Sequence, residues 1–215
     1  MKKDWFFIGA IIFFLWGVIN TWFSVSRYGI HQGIFMWFCN LALFALAYGL
    51  WRKNASLITA FLAFALLTQS FWVLDNLWRI FTKKNLFGLI EFMYQPGYQI
   101  IEFVVSHYHY FIIPTSILAL LFIKQKKAYT KRIAIWLSLL IFGASYFIFP
   151  ANQNINCVHK SCFDFAEELK GPIYTVVFVL IAIIICTLLA RKMEKLHKKI
   201  IINERQKRIV LVVYA

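Results

Sequence analysis

Residues 57–78 read Leu-Ile-Thr-Ala-Phe-Leu-Ala-Phe-Ala-Leu-Leu-Thr-Gln-Ser-Phe-Trp-Val-Leu-Asp-Asn-Leu-Trp, and the first charge in that run is Asp75. A helix of this length rises about 33 Å, enough to cross a hydrocarbon layer about 30 Å thick. Five further apolar windows accompany it: Trp5–Phe23, Gly33–Leu50, Tyr110–Ile123 with a polar run-in, Ile133–Phe149 and Ile173–Ala190. The whole chain has the same character, with 61% hydrophobic residues and 15% charged ones among 215. A soluble domain carries roughly 25% charged residues to cover its surface. The expected fold class is therefore all-α: a polytopic membrane protein of six transmembrane helices. The first window is long and lacks a small-residue cleavage site behind it, so it reads as a retained span rather than a signal peptide.

The formal charge of +14 would point to nucleic acid in a soluble protein, but its distribution points elsewhere. With the N-terminus placed in the cytoplasm, 17 Lys and Arg residues fall on the inner side and 6 on the outer side. The inner group comprises Lys2, Lys3, Arg52, Lys53, five cations from Lys124 to Arg132 and eight from Arg191 to Arg208. The positive-inside rule then predicts a multi-pass protein of the cell membrane with both termini cytoplasmic. The membrane domain is expected over residues 1–190 and a basic cytoplasmic tail over 191–215. That tail reads first as a stop-transfer anchor, and it could also attract anionic lipid head groups. Membrane lipids are the expected partners. No nucleic-acid partner and no cofactor is implied, and the oligomeric state is left open.

Polar residues collect in the outer halves of the windows. Asn20 and Thr21 end the first, and Trp37, Cys39 and Asn40 open the second. Thr68, Gln69, Ser70, Asp75 and Asn76 lie late in the third; Ser106, His107 and His109 open the fourth. Amides and hydroxyls at such depth need partners, so these groups are expected to face one another in an outer-side polar pocket or a helix-packing layer. On a regular helix Gln99, Glu102, Ser106, His109 and Ser116 share a face, while His107 points about 200° away from His109. Gln69 and Asn76 share a face of the third span beside Trp72. Asp75 reads first as an interfacial i,i+4 partner of Arg79 and second as pocket chemistry. The run Leu86–Tyr94 is too short to span and is expected at the outer interface or re-entrant, ahead of a break at Pro96-Gly97.

The cysteines divide by place. Cys157 and Cys162 share the outer loop, where a four-residue spacing suits a structural disulfide. A redox pair, or a metal site with His159, is the lesser alternative, since active pairs favour two intervening residues and ligands are few. Cys39 and Cys186 lie inside spans, where free cysteine commonly packs as a small apolar residue.

Cys39 and His109 enter their spans from the same side at similar depth. An imidazole can make a thiol nucleophilic, Glu102 could orient that imidazole, and Asn40 or Gln69 could donate to an oxyanion. The catalytic candidates are thus Cys39, His109 and Glu102. The binding candidates are Trp37, Asn40, Gln69, Asn76 and Ser106. The sequence His109-Tyr-Phe-Ile-Ile-Pro114, at the head of the fourth window, resembles the androgen-induced transmembrane hydrolase family, as does a third window carrying Phe71-Trp72. The resemblance covers roughly residues 33–123. It implies a six-span fold and cleavage of fatty acyl esters by an intramembrane threonine and histidine. Trp37 stands near where that family has its threonine, with Cys39 close by. Cysteine with histidine looks more like the ether-lipid transmembrane acyltransferases. A lipid hydrolase or acyltransferase is therefore expected. The alternative is a non-enzymatic protein that binds lipid or a small ligand in the outer polar cluster, or whose polar groups only pack helices.

Overall fold

The computed structural model describes residues 5–30, 37–94, 100, 104, 106–123, 129–163, 166 and 168–213. Among the described residues six α-helices carry the fold: α1 (Trp5–Tyr28), α2 (Phe38–Trp51), α3 (Ala55–Thr82), α4 (His109–Phe122), α5 (Thr130–Ile148) and α6 (Gly171–Val213). Two short 3-10 turns, Glu91–Tyr94 and Ile155–Cys157, interrupt the connections after α3 and α5. No strand occurs among the described residues, apart from a single antiparallel bridge between Lys160 and Lys170.

Four helices are long and apolar enough to cross a membrane, over Trp5–Arg27, Ala55–Thr82, Thr130–Ile148 and Gly171–Lys199. The bundle turns apolar side chains outward along them: Trp5, Trp22, Phe81, Trp136, Leu140, Phe147 and Ile173 are all exposed. An outer surface of that kind is stable in lipid and sticky in water, as expected of a membrane protein. The other two helices, α2 and α4, are equally apolar but have 14 residues each, a rise of about 21 Å.

Consecutive helices alternate in direction, so the bundle has two ends. At one, called here the loop end, α1, α3 and α5 finish and α2, α4 and α6 begin. At the other, called the basic end, a tight connection at Arg52–Asn54 joins α2 to α3. Asn54 caps α3 by accepting from the Leu57 N–H at 3.1 Å. Close approach there depends on Gly49, whose missing Cβ would lie 2.7 Å from Ile58 Cγ1. Gly17 plays the same part between α1 and α2, beneath the Phe44 ring.

The central helix is α3, which packs against α2, α4, α5 and α6. Its first half explains why: Ala60, Ala63 and Ala65 present almost no side chain, so neighbouring backbones come close. Ala60 and Ala63 form one cluster with Ala134 of α5 and Ala190 of α6. The boundary expected at residue 190 is not a break in structure. Helix α6 runs through it for 43 residues, about 65 Å, so the basic segment continues the last helix.

Candidate functional site at the loop end

The polar groups of five helices meet at the loop end. Asn20, late in α1, donates from Nδ2 to Asn40 Oδ1 in the first turn of α2. Tyr108, the N-cap residue of α4, donates its hydroxyl to the same oxygen at 2.6 Å. The Cys39 thiol lies 3.9 Å from that oxygen and against the Tyr108 hydroxyl. One carboxamide therefore joins α1, α2 and α4. The oxygen of Asn40, a residue expected to donate to an oxyanion from its amide nitrogen, is the hub of a buried network.

His109 is the first residue of α4 and is 7% exposed. Its Nδ1 lies 2.6 Å from the Ser106 carbonyl oxygen. A carbonyl can only accept, so Nδ1 carries the proton and Nε2 is left as the acceptor. Nε2 has no hydrogen-bond partner among the described residues. The ring is stacked on Trp72 of α3 at 4.0 Å and on Tyr108 at 4.1 Å, between centroids. Among the described residues no hydrogen bond joins Cys39 to His109; Tyr108 contacts both.

The helical-face argument around His109 requires a regular helix from Gln99 onward, and a turn interrupts it between Ser106 and His109. His107 and Tyr108 form a turn, with bonds from Tyr110 N to His107 O at 3.1 Å and from Phe111 N to Tyr108 O at 2.9 Å. The helix begins only at His109, so the adjacent rings of Tyr108 and His109 can stack instead of diverging. Ser106 reaches His109 through its backbone carbonyl. Gln99 and Glu102, the latter expected to orient the imidazole, lie outside the described residues, as does His31.

On α3, Gln69, Trp72 and Asn76 do share a face, and it is turned toward α4. Trp72 touches both His109 and Tyr110. Gln69 donates to Thr68 Oγ1 at 3.3 Å, but its Oε1 is buried without a partner. Asn76 accepts from the Tyr94 hydroxyl at 2.8 Å, while its Nδ2 is likewise unpaired. Trp37 is the N-cap residue of α2, half-buried, and its carbonyl accepts from the N–H groups of Asn40 and Leu41.

Asp75 is not the partner of Arg79. Its carboxylate is fully buried and accepts three backbone N–H groups: Leu86 at 2.8 Å, Phe87 at 2.9 Å and Ile90 at 3.2 Å. Arg79 instead donates to Asn85 Oδ1 and lies 4.5 Å from the centre of the Tyr94 ring. Burial holds the Tyr94 phenol above its ordinary value, against the opposing pull of Arg79. The reason for the difference is the connection after α3. Residues 86–94 fold back onto the helix end, burying Ile90 and Met93 against Trp72, and Asp75 collects the N–H groups this turn leaves open.

The connection between α5 and α6 closes the loop end. Cys157 and Cys162 stand at disulfide distance, with Cα atoms 5.5 Å apart. Asn156 accepts from the Phe38 N–H at 2.7 Å and donates to Ser145 Oγ at 2.8 Å, so it holds the start of α2 to the end of α5. Asn154 accepts from His159 N and Lys160 N. Asn154 and Asn156 both take the left-handed backbone conformation, with φ of 46° and 55°, which asparagine tolerates better than most residues. Tyr174 and Thr175 donate to the carbonyls of Cys157 and Val158. His159 stacks on Tyr146, and its Nε2 lies 3.2 Å from the Phe149 carbonyl. Among the described residues no group of three potential metal ligands occurs.

Residues outside the expected site therefore matter as much as those in it. Tyr108 sits in the sequence between two histidines that drew attention from it. Asn156 belongs to the pattern Asn154-x-Asn156-Cys157, whose left-handed turn is legible but whose reach to α2 is not. In the comparisons with known proteins, no family model, no curated protein and no solved structure matches the chain.

Proposed function

We propose that the chain is a six-span protein of the cell membrane, with both termini cytoplasmic, that performs acyl transfer or hydrolysis on lipid at its outward, loop end. The charge distribution supports the orientation. One observation carries the chemical reading: the Cys39 thiol lies in the first turn of α2, half-buried, against a Tyr108 hydroxyl whose ring is stacked on His109. A helix N-terminus favours a thiolate, and burial opposes one. Nε2 of His109 is the remaining proton acceptor.

In this scheme the thiolate attacks the acyl carbonyl and forms a thioester. Nε2 takes the thiol proton by way of a water or Tyr108 and returns it to the departing alcohol. Water or a second lipid hydroxyl then attacks the thioester. This follows the acyl chemistry of the families that residues 33–123 resemble, with Tyr108 inserted between nucleophile and base.

The test uses membranes holding the full chain and an alkyne-tagged long-chain acyl thioester. Hydroxylamine-sensitive label should appear on Cys39 and vanish in Cys39→Ala. His109→Asn keeps a donor for the Ser106 carbonyl but has no ring nitrogen to take the proton, and should slow labelling by about 100-fold. Equal labelling in His109→Asn would leave Cys39 an ordinary thiol with no base and end the proposal.

A second reading is favoured by the closed bonding of Asn20, Asn40 and Tyr108, and by the rings covering both faces of His109. On it, the polar layer fixes helix packing and performs no reaction. It expects no labelling, with lower thermal stability in both variants.

A further inference from the structure

We propose that the basic end carries a binding site for an anionic phospholipid of the adjoining leaflet, in a groove between α3 and α5. It rests on that end lying at a membrane surface and is independent of the acyl chemistry proposed for the other.

The groove is shallow and open to the surrounding medium along one side, with a volume of about 510 Å³. Helical spacing builds its walls. Tyr129, Ile133 and Leu137 form one row of α5 at steps of four, and Arg132, Trp136 and Leu140 form the next. Leu57 and Phe61 of α3, again four apart, supply the opposite wall. From Arg132 to Leu140 the rise is about 12 Å, lined by aromatic and aliphatic side chains only. Trp136 and Leu140 project outward, 71% and 69% exposed. The shape fits the upper part of an acyl chain.

The charge fits a phosphate at one end of that slot and nowhere else along it. Arg132 and Tyr129 close the groove where α5 begins, and Arg132 makes no ion pair among the described residues. Its surroundings are short of acids. Lys131, Arg191, Lys192 and Lys195 are exposed at this end, and Glu194 is held by Lys198 at 2.7 Å. A lipid phosphate placed on the Arg132 guanidinium and the Tyr129 hydroxyl would supply the missing counter-charge, with its chain lying against Trp136 and Leu140. A zwitterionic head group would satisfy the groove but not the excess of cations.

Native mass spectrometry of the full chain, equilibrated in detergent with phosphatidylglycerol or phosphatidylcholine, tests this. The wild type should retain phosphatidylglycerol about fivefold better, the ratio that one surface cation provides. Arg132→Gln, at an exposed position, should abolish the preference. The paired change Arg191→Gln with Lys192→Gln should leave it intact. Leu57→Trp, which fills the groove, should lower retention of both lipids. Equal retention of the two lipids by wild type, or a preference that follows Arg191 and Lys192 instead of Arg132, overturns the site.

Discussion

At the loop end directed bonds join the elements: Asn20, Asn40 and Tyr108 share one oxygen, Asp75 takes three N–H groups, and Asn156 ties α2 to α5, while Gln69 Oε1 and Asn76 Nδ2 have no partner among the described residues. At the basic end the helices meet through Ala60, Ala63, Ala134 and Ala190. Thr59 Oγ1 and both ring nitrogens of His197 have no hydrogen-bond partner among the described residues. One end is specified by directed bonds, the other by small side chains that let backbones approach. Directed bonds fix where a thiol, a hydroxyl and an imidazole stand relative to one another, which chemistry requires; close packing of alanines fixes only a distance. The loop end is therefore the better candidate for a site, and the basic end for a scaffold that meets lipid.

The sharpest way to break this contrast is at Asp75. Asp75→Ala strands the N–H groups of Leu86, Phe87 and Ile90 in a buried setting, each unsatisfied donor costing about 1–3 kcal/mol. A loss of about 3 kcal/mol or more is expected, read as a lower thermal midpoint in detergent. The fold-back of residues 86–94 should open with it, exposing the segment to protease. A variant that melts within a degree of wild type would show that the loop end does not depend on its bonds.

How much of this could be read from the chain depends on the range of the interaction. Apolar runs long enough to span are local, so six helices were legible from windows of 14–22 residues, with boundaries shifted by up to five positions except at the last helix, which runs on from Ala190 to Val213. The gathering of polar residues at one end followed from alternation of direction and was legible too. Which groups pair was not. Asp75 and Arg79 are four apart on a helix, the spacing of an ion pair. A connection eleven residues downstream instead offers three N–H donors, which a surface cation does not outbid. Tyr108 escaped notice because adjacent residues diverge on a regular helix, and only the turn before His109 lets their rings stack.

The disulfide offers a second, smaller test. The cysteines are five apart in sequence, and closing so short a loop stabilises the chain by about 2 kcal/mol in the entropic account. Cys157→Ser with Cys162→Ser should lower the thermal midpoint accordingly. Because Asn156 precedes Cys157 and holds the Phe38 N–H, the loss should also loosen the first turn of α2 and raise the rate at which a maleimide reaches Cys39. Faster labelling without that stability loss, or the loss without faster labelling, would mean that the loop and the start of α2 are not coupled.

The basic end predicts the opposite sign. His197 is 4% exposed and neither ring nitrogen has a hydrogen-bond partner among the described residues, so its burial includes a loss of hydration that those residues do not compensate. His197→Leu removes two orphaned polar atoms and should stabilise the protein by about 1 kcal/mol. The equivalent change at the loop end, Asn40→Leu, removes the acceptor used by Asn20 and Tyr108 and should destabilise it. If both changes destabilise alike, His197 has a partner that makes the basic end a second polar site, and the division between the ends fails.

The smallest effect is expected at the ion pair of α6. Glu194 and Lys198 are four apart and 2.7 Å from contact, but the lysine side chain is 51% exposed. A pair of this kind contributes about 0.3 kcal/mol on a helix. Glu194→Gln should therefore leave the thermal midpoint within error of wild type, and added salt should not alter the difference. What it should change is charge: with Lys198 released, the basic end gains an unpaired cation beside Lys195. Retention of phosphatidylglycerol should then rise slightly if the whole basic end attracts the lipid, and stay constant if Arg132 and its groove select it. A melting loss comparable to that of the disulfide variant would place directed bonds at the basic end as well.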